Sequence, residues 1–261
     1  MTIYISVVSH GHSDLINELG CVNSLCSGEF QIVVKSNKLG DDFNSLQRYK
    51  NFHWLNDDND YGCGFGGNNN IIFNYCRELG MEAYDYFIVL NPDVSISKKM
   101  LYSLIDNMNE NKARLSAINL HKDVNANISD NSIRNFPRLT DFFLSFFGGK
   151  NKTIVDKKNI TLPTKVDWAA GSFLAFKSEH YKTLGGFDER YFMYCEDIDI
   201  CYRSYLINER VLYFPFIKAV HLAKHANRDY LSKHFYWHVM SAVRFLLKKR
   251  GMLIGSENIL K

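Results

Sequence analysis

With 261 residues, 46% hydrophobic and 14% aromatic, the chain holds ample apolar material for one large domain or two small ones, and no disordered tract stands out. A formal net charge of +3 gives no general case for nucleic-acid binding, and no apolar run approaches the roughly 20 residues that span a bilayer. Six cysteines, at 21, 26, 63, 76, 195 and 201, form no CxxC pair and no zinc-ribbon spacing, so they read as reduced, mostly buried thiols of a cytosolic protein. Thr2 leads directly into the first apolar run, so no signal peptide is expected. The sequons at Asn127, Asn151 and Asn159 read as chance in an Asn-rich chain, and the expectation is a soluble or peripheral protein.

Ile3 to Ser9 is a short apolar run ending in Ser-His-Gly-His, the pattern of a buried parallel strand followed by a loop. Ser13 or Asp14 can cap the next helix, with Leu15, Ile16 and Leu19 on one face. Phe30 to Val34 and Phe52 to Leu55 are further strands, and this alternation predicts a parallel sheet with crossover helices. Between Asp57 and Asn70 the glycines 62, 64, 66 and 67 mark a tight loop, possible ligand-facing backbone, before a helix from Ile71 to Leu79. It is neither a GxxxxGK[ST] phosphate loop nor a dinucleotide fingerprint.

Tyr86 to Leu90 is the strongest strand and stops at Asn91-Pro92-Asp93. Pro92 has no N–H for the ladder, which leaves Asp93 at the carboxyl end of a central strand, either a simple turn or the edge where open parallel sheets bind ligands. Ser97 then caps a helix through Asn109, and Ala113 to Asn119 is another strand. Residues 121–164 lack periodicity, apart from Asp141-Phe142-Phe143-Leu144-Ser145-Phe146-Phe147, which is either a core helix or a surface for an apolar acceptor or membrane. Val166 to Phe176, with Trp168, Gly171 and Ser172, forms two extended pieces about a glycine, and Ser178 caps the helix to Leu184.

Gly185 to Arg203, GGFDERYFMYCEDIDICYR, concentrates the acidic groups Glu196, Asp197 and Asp199 behind Phe187, Tyr191, Phe192 and Tyr194. One explanation is an acidic first helical turn; the other is a site, because carboxylates among aromatics need hydrogen bonds, a cation or a substrate to compensate desolvation. A helix from Glu196 to Leu206 puts Glu196 and Asp199 on one face and Asp197 on another. Val211 to Phe214 and Ile217 to Val220 are strands that deliver His221. A helix from Asp229 to Arg250 carries Leu231, Phe235, Val239, Ala242, Phe245 and Leu246 on its apolar side. It ends in Lys248-Lys249-Arg250, which suits a helix C-terminus and also an anionic membrane face. His234 and His238 have metal-compatible spacing, but no acidic partner lies nearby in sequence.

Together these blocks, in this order, resemble the family 2 glycosyltransferases, inverting enzymes of the GT-A fold, and most of all the branch that transfers rhamnose in bacterial O-antigen assembly. The resemblance covers Ile3 to His221 and implies an α/β fold: a Rossmann-like mixed, mostly parallel sheet flanked by helices, with a C-terminal helical segment. It implies a GT-A domain over 1–225, with a nucleotide-sugar half to about 120 and an acceptor half beyond it. A membrane-associating amphipathic helix and tail would follow over 226–261. Val8, Ser9 and His10 stand where the family contacts base and ribose, and Ser36 stands where a base-contacting aspartate is usual. Asp60 to Asn70, with Gly66 and Asn68, resembles a loop that closes over the nucleotide sugar, although Asp60 replaces the leading asparagine. Asn91 and Asp93 look like a DxD metal motif without its first carboxylate, and His221 matches a histidine that completes the metal site. The ion would be Mg2+ or Mn2+.

In the acceptor-side signature, Asp197 matches the family's base and Glu196 would raise its proton affinity by like-charge repulsion. Asp199 would orient the acceptor or pair with Arg203, and Trp168, Gly171 and Ser172 would line the pocket. Arg134 and Arg203 are phosphate-contact candidates, with structural ion pairs as the alternative. The implied reaction moves L-rhamnose from dTDP-rhamnose to a GlcNAc-diphosphate-lipid acceptor on the cytoplasmic face of the inner membrane, with no nucleic acid involved. Two rival classes remain: a sugar nucleotidylyltransferase, whose GxGxR-type loop is absent after the first strand, and a non-catalytic binding protein, which Asn91 and Ser36 would suit.

Overall fold

A computed structural model of the chain describes residues 1–123, 125, 128–138, 140–141, 152–222 and 233–252. The first half runs β1 (Ile3–Ser9), α1 (Ser13–Leu19), α2 (Cys21–Cys26), β2 (Phe30–Ser36), β3 (Phe52–Leu55), α3 (Phe65–Glu78), β4 (Tyr86–Leu90), β5 (Val94–Ser95), α4 (Lys98–Glu110) and β6 (Leu115–His121). The second half runs β7 (Ile133–Arg134), β8 (Thr164–Val166), β9 (Trp168–Ala169), β10 (Phe173–Lys177), α5 (Ser178–Thr183), α6 (Glu196–Leu206), β11 (Val211–His221) and α7 (Lys233–Lys249). The Phe142–Phe147 cluster and the sequons at Asn127 and Asn151 lie outside the described residues.

A nine-stranded mixed sheet forms the centre, in the order β3-β2-β1-β4-β10-β6-β11-β5, with β8 also paired to β11. Parallel pairing joins β3, β2, β1 and β4 and returns between β6 and β11, while β10 lies antiparallel between β4 and β6. The carboxyl ends of β1, β2, β4, β6 and β11 therefore share one edge, and β10 begins there. The strands are apolar at consecutive positions because both faces are covered. Ile5, Val7, Ile32, Val34 and Ile88 pack under α1, α2 and α4, while Tyr4, Val33, Phe87, Val89, Leu174 and Phe176 pack under α3, α5, α6 and α7.

Local chemistry moved several boundaries. Neither Ser13 nor Asp14 caps α1; His12 takes the N-cap position and the Asp41 carboxylate, from the loop after β2, accepts the Ser13 N–H at 3.1 Å. Ser178 is the first residue of α5 rather than its cap. The two strands expected before His221 are one strand, broken by a register shift between Phe214 and Lys218 at Pro215. Only the part of the C-terminal helix from Lys233 lies within the described residues, and no helix among them is long and apolar enough to cross a membrane.

Candidate active site

At the carboxyl end of β1, Ser9 is buried; its hydroxyl donates to Asp41 at 2.8 Å and accepts the His12 N–H at 2.9 Å, so it shapes the loop that carries His10. Val8 is half-buried against the second core and His10 is exposed. Ser36 is fully buried and accepts the Trp54 indole N–H at 2.9 Å, so its side chain turns into the sheet rather than toward a base. The neighbouring Asn37 donates to the Cys63 carbonyl at 3.0 Å, and its amide oxygen, like Asp41 Oδ2 in the loop that follows, is a buried acceptor without a partner among the described residues.

Gly66 and Asn68 do not belong to a loop: α3 begins at Phe65, so the Gly-Gly-Asn-Asn-Asn run forms its first turns. A Cβ on Gly66 would lie 2.7 Å from the Phe187 Cβ, and one on Gly64 would lie 2.2 Å from the Phe192 carbonyl oxygen, so glycine here permits helix approach. Asn68 is 1% exposed; its amide accepts from the buried Lys35 ammonium at 2.8 Å and donates to the carbonyls of Cys63 and Gly64. Asn69 accepts from Ser6 at 2.7 Å, and Asn70 joins Tyr181, Phe187 and Glu189. These asparagines fasten α3 to the sheet and to the 185–192 stretch.

Asn91 is tied by its N–H to the Ser172 carbonyl at 3.0 Å, which brings the start of β10 beside the end of β4. Asp93 meets His221: their Oδ1 and Nε2 stand 3.4 Å apart, while the other ring nitrogen, Nδ1, bonds Asp130 at 2.5 Å. Burial pushes the Asp93 carboxyl up, but the His221 bond and charge outweigh it and hold the group below its ordinary value. Burial likewise pushes His221 down, yet the two carboxylates lift it to about 9. Among the described residues, no group of three or more His, Cys, Asp or Glu could hold an ion unaided. Asp93 with His221 nevertheless suits a divalent ion, since adjacent ligands of an octahedral ion at about 2.1 Å stand about 3 Å apart. Mg2+ and Mn2+ complete such shells with phosphate oxygens and water. Asp130 was missed in the sequence, because it lies in a segment without periodicity and carries no motif.

Tyr194 and Cys195 both adopt positive φ, 70° and 64°, and this uncommon pair of left-handed residues swings the chain into α6. The three acids that follow have separate fates. Glu196 is 6% exposed, with Oε2 unpartnered, and both burial and the Asp197 charge push its carboxyl well above the ordinary value. Burial raises Asp197 as well, but the Gly171 N–H at 3.0 Å, the Ile198 N–H at 2.8 Å and the Arg134 charge oppose it. Both carboxyls are thus raised, with burial the first cause for each, and the repulsion between the two acts on both. Asp197 alone of the three is half-buried rather than buried.

Asp199 and Arg203 pair with each other, one of the two expected arrangements. Asp199 is 0% exposed and bonds Arg203 at 2.7 Å, Lys248 of α7 at 2.6 Å and the Tyr191 hydroxyl at 3.3 Å. Arg203 directs its remaining donors to the carbonyls of Leu184 and Gly186. Lys248 also reaches Asp188 at 3.3 Å, and Lys249 donates to the Pro137 carbonyl at 3.2 Å, so these two lysines of the basic end brace the protein. Trp168 is 6% exposed, donates to the Asn135 carbonyl at 2.9 Å and carries the Arg134 guanidinium 5.3 Å over its ring. Gly171 lies between Phe65 and Asp197, and the buried Ser172 hydroxyl has no partner among the described residues. His234 and His238 pack on Tyr194.

No family model matches the chain. Its sequence is 39% identical over 249 residues to rhamnosyltransferase WbbL of Escherichia coli (strain K12), covering 95% of this chain and 94% of that one. It is 28% identical over 223 residues to an N-acetylglucosaminyl-diphospho-decaprenol L-rhamnosyltransferase of Mycobacterium tuberculosis, covering 79% of this chain and 70% of that one. In structure it matches GalNAc-T7, crystallised with UDP, GalNAc and Mn2+, with a TM-score of 0.63 and 14% identity over 95% of this chain. The match spans 48% of that longer protein and shows a shared fold.

Proposed function

We propose a reaction for this chain from the premise that it belongs to the rhamnosyltransferases of glycosyltransferase family 2. The donor is dTDP-rhamnose, the acceptor is a GlcNAc-diphosphate-lipid, and transfer inverts the anomeric centre. The name of the mycobacterial relative supports the lipid-linked acceptor. The acceptor hydroxyl attacks the anomeric carbon as the bond to the nucleoside diphosphate breaks, and Asp197 takes the hydroxyl proton.

The observation that carries this reading is the setting of Asp197. Of the three clustered acids it is the one not buried, and two backbone N–H groups fix its carboxylate while the Arg134 charge favours its ionised form. A Mg2+ or Mn2+ ion held by Asp93 and His221 would offset the charge developing on the leaving diphosphate. On the donor side, Val8, Ser9, His10 and Asn91 shape the strand edge, and the Asn37 amide oxygen is the acceptor suited to a pyrimidine N–H in place of Ser36. Gly66 and Asn68 act from within α3, as part of the wall that holds Glu196 and Asp197. Gly171, Ser172 and Trp168 form the opposite wall.

The protein would work at the cytoplasmic membrane face, where its acceptor resides. Tyr236, Met240 and Val243 form the exposed apolar side of α7 that such a surface would meet. Incubation of the purified protein with a short-chain GlcNAc-diphosphate lipid should give product with dTDP-rhamnose and little with UDP-sugars. Turnover with UDP-sugars alone would overturn the donor assignment.

A further inference from the structure

His221 can serve a cation only if its ring is held with the correct nitrogen forward. Its backbone is fixed on both sides: His221 pairs with Val94 in the sheet, and the Leu222 N–H bonds the Asp93 carbonyl at 3.1 Å. Neither contact sets the ring tautomer or the ring's rotation. The Asp130 carboxylate does both, through the 2.5 Å contact to Nδ1 at a position where both side chains are 14% exposed.

Asp130 is itself anchored. Its N–H bonds the Leu120 carbonyl at 3.0 Å, and the chain before it folds back through a bridge between His121 and Ser129. Lys157 bonds the same Leu120 carbonyl at 3.3 Å and the Ser132 hydroxyl at 2.9 Å, tying down the segment that carries Asp130.

We infer that Asp130 is a positioning residue for the cation site: by taking the Nδ1 hydrogen of His221 it presents Nε2 toward Asp93, where a divalent ion shared with the donor diphosphate would bind. The inference rests on the metal assignment to Asp93 and His221. Its content is that the segment after β6 supplies a component of a metal site whose ligands come from the loop after β4 and the end of β11. A carboxylate behind a ligating imidazole fixes its orientation and raises its basicity, and loss of such a partner weakens metal binding about 10–100-fold.

Mn2+ binding read by electron paramagnetic resonance, in the presence of dTDP, tests this without turnover. D130N should weaken Mn2+ affinity about 10–100-fold and alter the 14N coupling of the bound imidazole, with dTDP affinity in the absence of metal unchanged. D130E, which restores a carboxylate, should recover part of the affinity. If D130N keeps wild-type affinity and 14N coupling while H221A loses both, Asp130 has no such role although the metal assignment stands. If H221A also binds Mn2+ like the wild type, the metal assignment itself fails and this inference with it. The 14N coupling separates positioning from general destabilisation should D130N also lower the melting temperature.

Discussion

Glu196, Asp197 and Asp199 occupy neighbouring positions yet differ in chemical state because their partners differ. Asp199 is in contact with Arg203 and Lys248, Glu196 is buried with Oε2 unpartnered among the described residues, and Asp197 rests on two N–H groups. Replacing Asp197 by Asn should lower kcat about 10²–10⁴-fold, the usual contribution of a general base, with donor affinity largely kept. Because burial raises the Asp197 pKa and the base must be ionised, wild-type activity should fall on acidification at a higher pH than an ordinary aspartate would give. Glu196→Gln should keep most of the rate, since the amide keeps the shape of a buried side chain whose carboxyl burial pushes toward the neutral form. A carboxyl whose folded pKa is raised contributes stability below its unfolded pKa and loses it as pH rises toward the folded value. The melting temperature of E196Q should therefore exceed that of the wild type by a margin that grows from pH 5 to pH 8. A near-normal rate in D197N, or a dead E196Q, would reverse these two roles. The acidic cluster and its helix were legible in the sequence. Helical spacing could not show which acid stays open, because the deciding groups are Gly171 before it and Lys248 near the far end of the chain.

The helices that frame the site are positioned by contacts distant in sequence. Alternation and turn residues placed the strands well, and α6 spans the predicted Glu196 to Leu206. The start of α3 was not legible, because glycine and asparagine are poor helix formers in isolation. Here the three asparagines are compensated by tertiary bonds, Gly66 by close packing on Phe187 and the N-cap Gly64 by packing on Phe192. In the same way the basic end of α7 suggested a membrane contact, but Lys248 is drawn inward by Asp188 and Asp199. Removing one member of a buried charge network strands the others, at a cost of about 3–5 kcal/mol. Lys248→Met should therefore lower unfolding free energy by about that amount in urea titrations, while Lys249→Met, which loses one bond to a carbonyl, should change it far less. Equal effects would mean that α7 is not latched through Lys248.

At the scale of the whole molecule, the sheet order carries residues from remote parts of the chain to one edge. Asp93 arrives on the loop after β4, His221 at the end of β11, and Gly171 just before β10, whose antiparallel insertion places it beside Asn91. The order of these blocks was readable from sequence and was enough to indicate the fold. Asp130 was not, because nothing in a segment without periodicity predicts a single 2.5 Å contact. The proposed single displacement needs one base and no protein nucleophile, and among the described residues Asp197 is the open carboxylate of the three clustered acids. The most direct measurement is the anomeric configuration of the product, by NMR, after incubation of the wild-type protein with dTDP-rhamnose and a short-chain GlcNAc-diphosphate lipid. The account predicts a rhamnosyl product of configuration opposite to the donor; a product with the donor's configuration, or none at all, would contradict it.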